Sequence, residues 1–284
     1  MIFENNVAKQ KKRVAKFFDS RIFNYLKKKK PKSESYPFIQ HDPFELYGEE
    51  KTGLESFYLV GSNWKNAQDK PIAVMWGFND WKLGFTSDYL PEYRTLFVPL
   101  RMSGVKAIHN LKLHLDSNTV FIAWGFNERR SAKRYAKYKN IPLWRMEDAF
   151  IRSSALGASH ATPYSLILDK TGFYYDCNQP SDIENILNNT DFQANPQLLK
   201  KAQKALDTII DLRLSKYNPP SNNSARIIDK IKMRKRIVVL GQVDSDASIR
   251  LGNPDGWTAE ELVKLAKFEN PDAEVLYREL FVLF

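Results

Sequence analysis

The chain has 284 residues, of which 43% are hydrophobic and 27% charged, the balance of a globular protein long enough to bury a sizeable core. A mean hydropathy of -0.47 without an apolar run of membrane-spanning length excludes a transmembrane helix. The single Cys177 excludes an intramolecular disulfide, and the start has no apolar stretch before a small-residue cleavage site, so a cytoplasmic protein is expected.

The net charge of +10 is concentrated at the start of the chain. Residues 1–32 hold eleven Lys and Arg against Glu4 and Asp19, a net of +9, which leaves the rest almost neutral. A body so balanced is not built to wrap duplex DNA, and no specific nucleic-acid partner is expected. Within this stretch Phe3, Val7, Val14, Phe18, Ile22 and Leu26 recur mainly at multiples of three or four, which predicts a basic amphipathic helix ending at Lys30 before Pro31. Such a helix suits an anionic membrane surface, where each nearby Lys or Arg adds about 1 kcal/mol. Docking on the protein's own body is the alternative. Residues 33–55, with Pro37 and Pro43, read as a linker.

From residue 56 short apolar runs alternate with helical stretches. Strands are expected at 57–60, 72–76, 95–98, 120–124, 142–145 and 165–168, and helices at 105–115 and 129–138. This alternation predicts an α/β fold with a largely parallel sheet covered on both faces. Ser181 with Glu184 and Thr258 with Glu261 have capping-box spacing, and Asn195 before Pro196 opens a long helix at about 196–214. A strand at 237–240, a helix from Thr258 and a strand near 273–277 form a second βα unit. The expected organisation is a first lobe at 56–194, a connecting helix and hinge at 195–224, and a second lobe at 225–284. Trp76-Gly77-Phe78-Asn79 echoes Trp124-Gly125-Phe126-Asn127, and each copy reads as a glycine exit from a strand.

No phosphate-binding loop, serine nucleophile elbow or dinucleotide fingerprint is present, and the histidines lack metal-ligand spacing, so neither a metal nor a cofactor is expected. What remains is a polar cluster at the exit of the 142–145 strand, with Glu147, Asp148, Arg152, Ser153 and His160. A second cluster follows the 237–240 strand, with Gln242, Asp244, Asp246, Ser248 and Arg250. Ligands of open α/β sheets bind beyond the carboxyl ends of strands. Two carboxylates offered there by two lobes meet the needs of glycosyl transfer, in which one attacks the anomeric carbon and the other moves a proton. Turn capping is expected of Asp244 more than of Asp246.

Several blocks carry a family resemblance. Arg145-Met146-Glu147-Asp148-Ala149-Phe150-Ile151-Arg152-Ser153, Pro163-Tyr164-Ser165-Leu166, Gly172-Phe173-Tyr174-Tyr175-Asp176, Leu214-Ser215-Lys216-Tyr217-Asn218 and Gly241-Gln242-Val243-Asp244-Ser245-Asp246 resemble the KpsC-type capsule polysaccharide biosynthesis proteins in order and spacing. The resemblance implies a retaining β-Kdo transferase of GT-B-like architecture, with a Rossmann-like first lobe on the acceptor side and a second Rossmann-like lobe on the donor side. It implies transfer of Kdo from CMP-Kdo to a phosphatidylglycerol-Kdo type of lipid-linked acceptor at the inner face of the bacterial inner membrane. Asp246 then matches the carboxylate that forms a covalent Kdo adduct, and Glu147 the general acid/base. Asp148, Arg152, Ser153, Tyr175, Asp176 and Gln242 match positions that line the cleft and bind substrate. Arg152 and Arg250 would offset the charge of anionic substrates.

The chain departs from the family pattern at Ala149, where glycine is usual, and after Tyr277, where a basic residue and a His-Pro motif give way to Arg278-Glu279-Leu280. The second lobe therefore reads as incomplete. Val238, Val239, Val275 and Leu276 are expected to lack part of their cover, some of which 280–284 could supply. The expectation that follows is weak CMP-Kdo binding and an inactive, truncated chain, or one half of a complex. A non-catalytic capsule biosynthesis or export factor, holding a lipid-linked glycan or a capsule-assembly partner, stays open as the other reading.

Overall fold

The computed structural model describes residues 53–154, 160–218 and 235–278, which lie within one compact unit. The predicted basic helix at 1–32, the linker up to residue 52, the part of the 195–224 hinge beyond Asn218 and the tail 280–284 lie outside the described residues.

The strands of the first lobe are β1 (Leu59–Val60), β2 (Ile72–Trp76), β3 (Arg94–Phe97), β4 (Val120–Trp124), β5 (Leu143–Asp148) and β6 (Leu166–Asp169). They form one sheet in the order β1-β3-β2-β4-β5-β6. β3, β2, β4 and β5 are mutually parallel, while β1 and β6 close the two edges antiparallel, which the expected parallel sheet did not include. Every residue of β2 and β4 is buried, as the unbroken apolar runs Ile72-Ala73-Val74-Met75-Trp76 and Val120-Phe121-Ile122-Ala123-Trp124 require of central parallel strands.

Alternation along these strands supplies two cores. Val74, Trp76, Leu96, Phe121 and Ala123 face Ala107, Ile108 and Leu111 of α2 (Gly104–Leu111) and Ala132 and Ala136 of α3 (Arg130–Lys139). On the other face Met75, Phe97, Ile122, Trp124 and Met146 pack with Phe78, Leu83 and Leu90. Both faces are covered, but helices of eight residues or more cover only one. The segment from Phe78 to Leu90, with the short α1 (Leu83–Thr86), covers the other. Burial of each such large apolar side chain contributes about 1.5–3 kcal/mol.

Helix α4 (Asp182–Asn189) starts at Ser181, whose hydroxyl accepts from Glu184 N, and α5 (Pro196–Asp211) starts at Asn195, whose side chain accepts from Leu198 N. The second lobe pairs β7 (Arg236–Leu240) with β8 (Glu274–Arg278) in parallel. Between them run α6 (Ala247–Gly252) and α7 (Ala259–Glu269), the latter opened by a full Thr258–Glu261 capping box. Helix α6 has no counterpart in the sequence reading, because its six residues are too few to show a period. Val238 and Leu276 are exposed as expected, whereas Val239 is buried.

Candidate functional site

Glu147 and Asp148 are the last two residues of β5 and pair with Ile167 and Leu166 of β6. The antiparallel edge extends β5 three residues beyond the predicted strand end. Both carboxylates therefore stand on a strand end and not in the loop expected from sequence.

One strand over, β4 ends at Trp124 and Gly125 turns the chain out with a φ of +54°. A Cβ at this position would lie 3.1 Å from Glu147 Oε2 and 3.4 Å from the Tyr175 hydroxyl. Both the backbone and the space call for glycine, and Glu147 and Tyr175 border the same gap. Beneath it Arg145 makes a bidentate pair with Glu128, at 2.5 and 2.9 Å, and donates to the Gly125 carbonyl at 3.0 Å, which anchors the turn.

Burial pushes the Glu147 carboxyl up. The positive charge of Lys82 and the Asp148 N–H, 3.3 Å from Glu147 Oε1, act against this, the charge of Asp148 adds to it, and Lys216 opposes it. Lys82 sits at the end of the turn Asp80–Lys82 with its ammonium 3.1 Å from the centre of the Trp124 ring. Burial brings this lysine down to about 8, against the opposing pull of Glu147 and Asp148 and with a further lowering by Arg152.

Arg152 is fully buried. Its Nε lies 2.7 Å from Asp148 Oδ2 and its Nη1 donates to Ser153 Oγ at 2.8 Å, while Arg152 Nη2 and Asp148 Oδ1 have no hydrogen-bond partner among the described residues. The backbone of Arg152 and Ser153 is held by the segment after α5. Arg152 N and Ser153 N donate to the Lys216 carbonyl, and Asn218 N donates to the Ser153 carbonyl at 3.0 Å. This brings Tyr217 within electrostatic reach of Asp148 and Lys216 within that of Glu147. Trp81 closes the cluster, stacked on His160 with ring centres 4.9 Å apart.

The second lobe approaches the same cluster at the first-lobe residues Tyr174 and Tyr175, whose rings meet edge to face at 5.2 Å. Burial raises both phenols, and the charges of Glu147 and Asp246 push both further up. A carboxylate from each lobe therefore acts on one pair of phenols. Asp246 is the N-cap of α6, and its Oδ1 accepts from Ser248 N at 2.8 Å and from Ser248 Oγ at 2.7 Å. The capping role expected of Asp244 thus belongs to Asp246. The far end of α6 is tied to the tyrosine segment, since Cys177 N donates to the Leu251 carbonyl at 3.0 Å.

The remaining predicted residues are placed differently. Asp176 is buried, and its carboxylate accepts from Asn178 N, Asn178 Nδ2 and Gln179 Nε2, so it shapes a turn. Gln242 and Arg250 are exposed, and among the described residues no hydrogen bond or ion pair joins them to Glu147 or Asp148. Lys82 was missed by the sequence reading. Its only signal is a place three residues after the first Trp-Gly-Phe-Asn exit. Tyr174 and Lys216 lie within the motif blocks but carried no assigned role.

Carboxylates at the strand ends of a parallel-dominated α/β sheet, beside a tyrosine segment whose backbone is bonded to a second βα unit, define an α/β protein with a candidate ligand site at its carboxyl edge. Residues 120–278, more than half of the chain, match the family described as capsule polysaccharide biosynthesis protein. Over 227 residues the chain is 37% identical to the lipopolysaccharide-processing protein LpsZ of Rhizobium meliloti, covering 80% of this chain and 51% of that protein. Over 223 residues it is 34% identical to the capsule polysaccharide modification protein LipA of Neisseria meningitidis, covering 78% of this chain and 28% of that one. Two solved structures are similar, both of Thermosulfurimonas dismutans KpsC. The beta Kdo 2,4 transferase matches at 28% identity with a TM-score of 0.58, over 76% of this chain and 62% of that chain. The beta Kdo 2,7 transferase matches at 26% and 0.51, over 74% and 62%.

The chain belongs to the capsule polysaccharide biosynthesis protein family and is of the KpsC type, related to Kdo transferases. It spans about half the length of LpsZ and under a third of LipA. Among the described residues no helix is long and apolar enough to cross a membrane.

Proposed function

We propose that the chain acts in capsule assembly as a retaining Kdo transferase, moving Kdo from CMP-Kdo to a lipid-linked acceptor of the phosphatidylglycerol-Kdo type. In this reading the lobes form a GT-B-like pair, with 56–194 on the acceptor side and 225–284 on the donor side. The basic stretch 1–32 holds the chain to the anionic inner face of the inner membrane. The observation that carries the reading is that Glu147 Oε2 and the Tyr175 hydroxyl border one gap, while α6, the helix that Asp246 caps, is tied to the same tyrosine segment through Cys177 N and the Leu251 carbonyl and Asp246 lies within electrostatic reach of both tyrosines.

The chemistry follows from the state of each carboxyl. Asp246 uses Oδ1 to cap α6, which fixes the carboxylate, and among the described residues Oδ2 accepts no hydrogen bond, which leaves it to attack. As the bond from Asp246 Oδ2 to the anomeric carbon forms, the bond to the CMP phosphate oxygen breaks, and CMP departs with the electron pair. CMP is a weak base and needs no proton, so this step does not call on Glu147. In the second step the acceptor hydroxyl attacks the same carbon, its proton passes to Glu147, and Asp246 leaves as a carboxylate. Two inversions give net retention. Burial of Glu147 supports its part, because a carboxyl with a raised pKa is a better proton acceptor than a solvated one.

The test is a transfer assay with CMP-Kdo and a Kdo-terminated lipid, run on the wild-type chain and on Glu147→Gln and Asp246→Asn. Transfer by the wild type, with loss in both variants and CMP binding retained, supports the enzyme. Equal behaviour of all three chains contradicts it and leaves a non-catalytic capsule factor.

A further inference from the structure

A cavity of about 510 Å³ opens beyond the carboxyl ends of β2, β3 and β4, on the first lobe alone. That volume suits a sugar-sized ligand, and the position is the one where open parallel sheets bind ligands. Its walls are the two echoed exits. Gly77, with a φ of +75°, lies so close to Asn127 that a Cβ at 77 would come within 2.4 Å of the Asn127 Cβ, so the glycine brings the two exits together.

Polar groups line this space. Asn79, Asn127, Arg129 and Lys82 are among its lining residues, and Arg129 Nη2 donates to the carbonyl of Leu100, another lining residue. Lys82 is 7% exposed, yet its ammonium makes no hydrogen bond and no ion pair among the described residues, and rests on the Trp124 ring. Glu147 and Asp148 act on it at a distance, but neither pairs with it, and a cation withdrawn from water without a directly paired anion costs several kcal/mol, of which an aromatic face returns only about 2. Arg152, the cation assigned by sequence to substrate charge, is engaged by Asp148 and Ser153 through Nε and Nη1, with only Nη2 unpartnered among the described residues, whereas the Lys82 ammonium makes no hydrogen bond or ion pair there at all.

We propose that this cavity is the subsite for the carboxylate of an acidic sugar at the acceptor's end, with Lys82 as its counter-ion and Asn79, Asn127 and Arg129 as further donors. The assignment to the acceptor rests on the transferase reading, in which the group that gives its proton to Glu147 is the acceptor hydroxyl. Lys82 stands within electrostatic reach of Glu147, while Gln242, Asp246 and Arg250 lie at the end of β7 in the other lobe.

The experiment measures binding of free Kdo, Kdo methyl ester and CMP to the full chain by ligand-observed NMR titration. Wild type, Lys82→Met and Asn127→Ala are compared, each checked for folding by circular dichroism. Lys82→Met keeps the buried stem and Asn127→Ala alters only an exposed position, so at least one variant reports on a folded chain. Free Kdo is expected to bind the wild type, with affinity at least about tenfold lower for the ester and for Lys82→Met, about threefold lower for Asn127→Ala, and CMP affinity unchanged. Equal affinity of wild type and Lys82→Met for free Kdo, or equal affinity of the wild type for the acid and its ester, overturns the subsite. If Kdo binding follows this pattern while the transfer assay is silent, the subsite stands and the transferase reading falls.

Discussion

Glu147 Oε2 and the Tyr175 hydroxyl border one gap that exists because residue 125 is glycine. A Cβ there would lie 3.1 Å from the first and 3.4 Å from the second. Around that gap a strand end of the sheet, the turn after the neighbouring strand and a loop tied to the second lobe come together.

Gly125→Ala adds a methyl group where φ is +54°. The left-handed backbone costs an L-residue roughly 1–2 kcal/mol, and the methyl group presses on Glu147 as well. Urea denaturation is expected to show a loss of that size, accompanied by reduced transfer. Unchanged stability would mean that the turn relaxes.

The buried Asp148–Arg152 pair is predicted to be expensive to break from one side. Asp148→Ala leaves the fully buried Arg152 without its counter-ion, and loss of one member of a buried pair costs about 3–5 kcal/mol. Chemical denaturation checks this, and a loss below about 1 kcal/mol would mean that Arg152 finds another partner.

Lys82 predicts a specific pH dependence. Its folded value is about 8 against an ordinary 10.5, so between these values the unfolded chain binds more protons than the folded one. Stability gained from this lysine therefore rises with pH across that window, and its cost is largest below 8. Glu147 acts in the opposite sense, since its raised folded value loses stability as pH rises through it, and the comparison with Lys82→Met, which keeps Glu147, isolates the lysine. Urea midpoints taken from pH 7 to 10 are expected to climb for the wild type relative to Lys82→Met. Parallel curves would contradict the assignment.

In the second lobe, Thr258→Ala removes the hydroxyl that accepts from Glu261 N, leaving only the backbone half of the capping box on α7, and is expected to cost about 1 kcal/mol. The loss should appear as faster amide hydrogen exchange at 259–262. If exchange there is unchanged, α7 is held by packing alone.

Much of this arrangement was legible in the sequence. The central strands announced themselves as unbroken apolar runs, and Thr258, Asn195 and Ser181 marked helix starts correctly because capping is a local interaction. The antiparallel edges were not legible, since Glu147 and Asp148 extend β5 only because β6 is there to pair with them. Glu147 and Asp246 were found through motif order, but what surrounds them was not. Lys82 reads as an ordinary surface lysine until the fold lays it on Trp124, and Arg152 reads as a substrate contact until the fold buries it. Asp246 and Asp244 have the same local sequence character, and only the start of α6 separates them.

The central claim is a covalent Kdo ester on Asp246 that Glu147 helps to resolve. The most direct measurement is the intact mass of the Glu147→Gln chain after incubation with CMP-Kdo, followed by peptide mapping. The account predicts a mass gain of one Kdo residue, located on Asp246 and absent from Asp246→Asn. A Glu147→Gln chain that turns over CMP-Kdo at the wild-type rate without accumulating an adduct, or an adduct mapped to another residue, would contradict it.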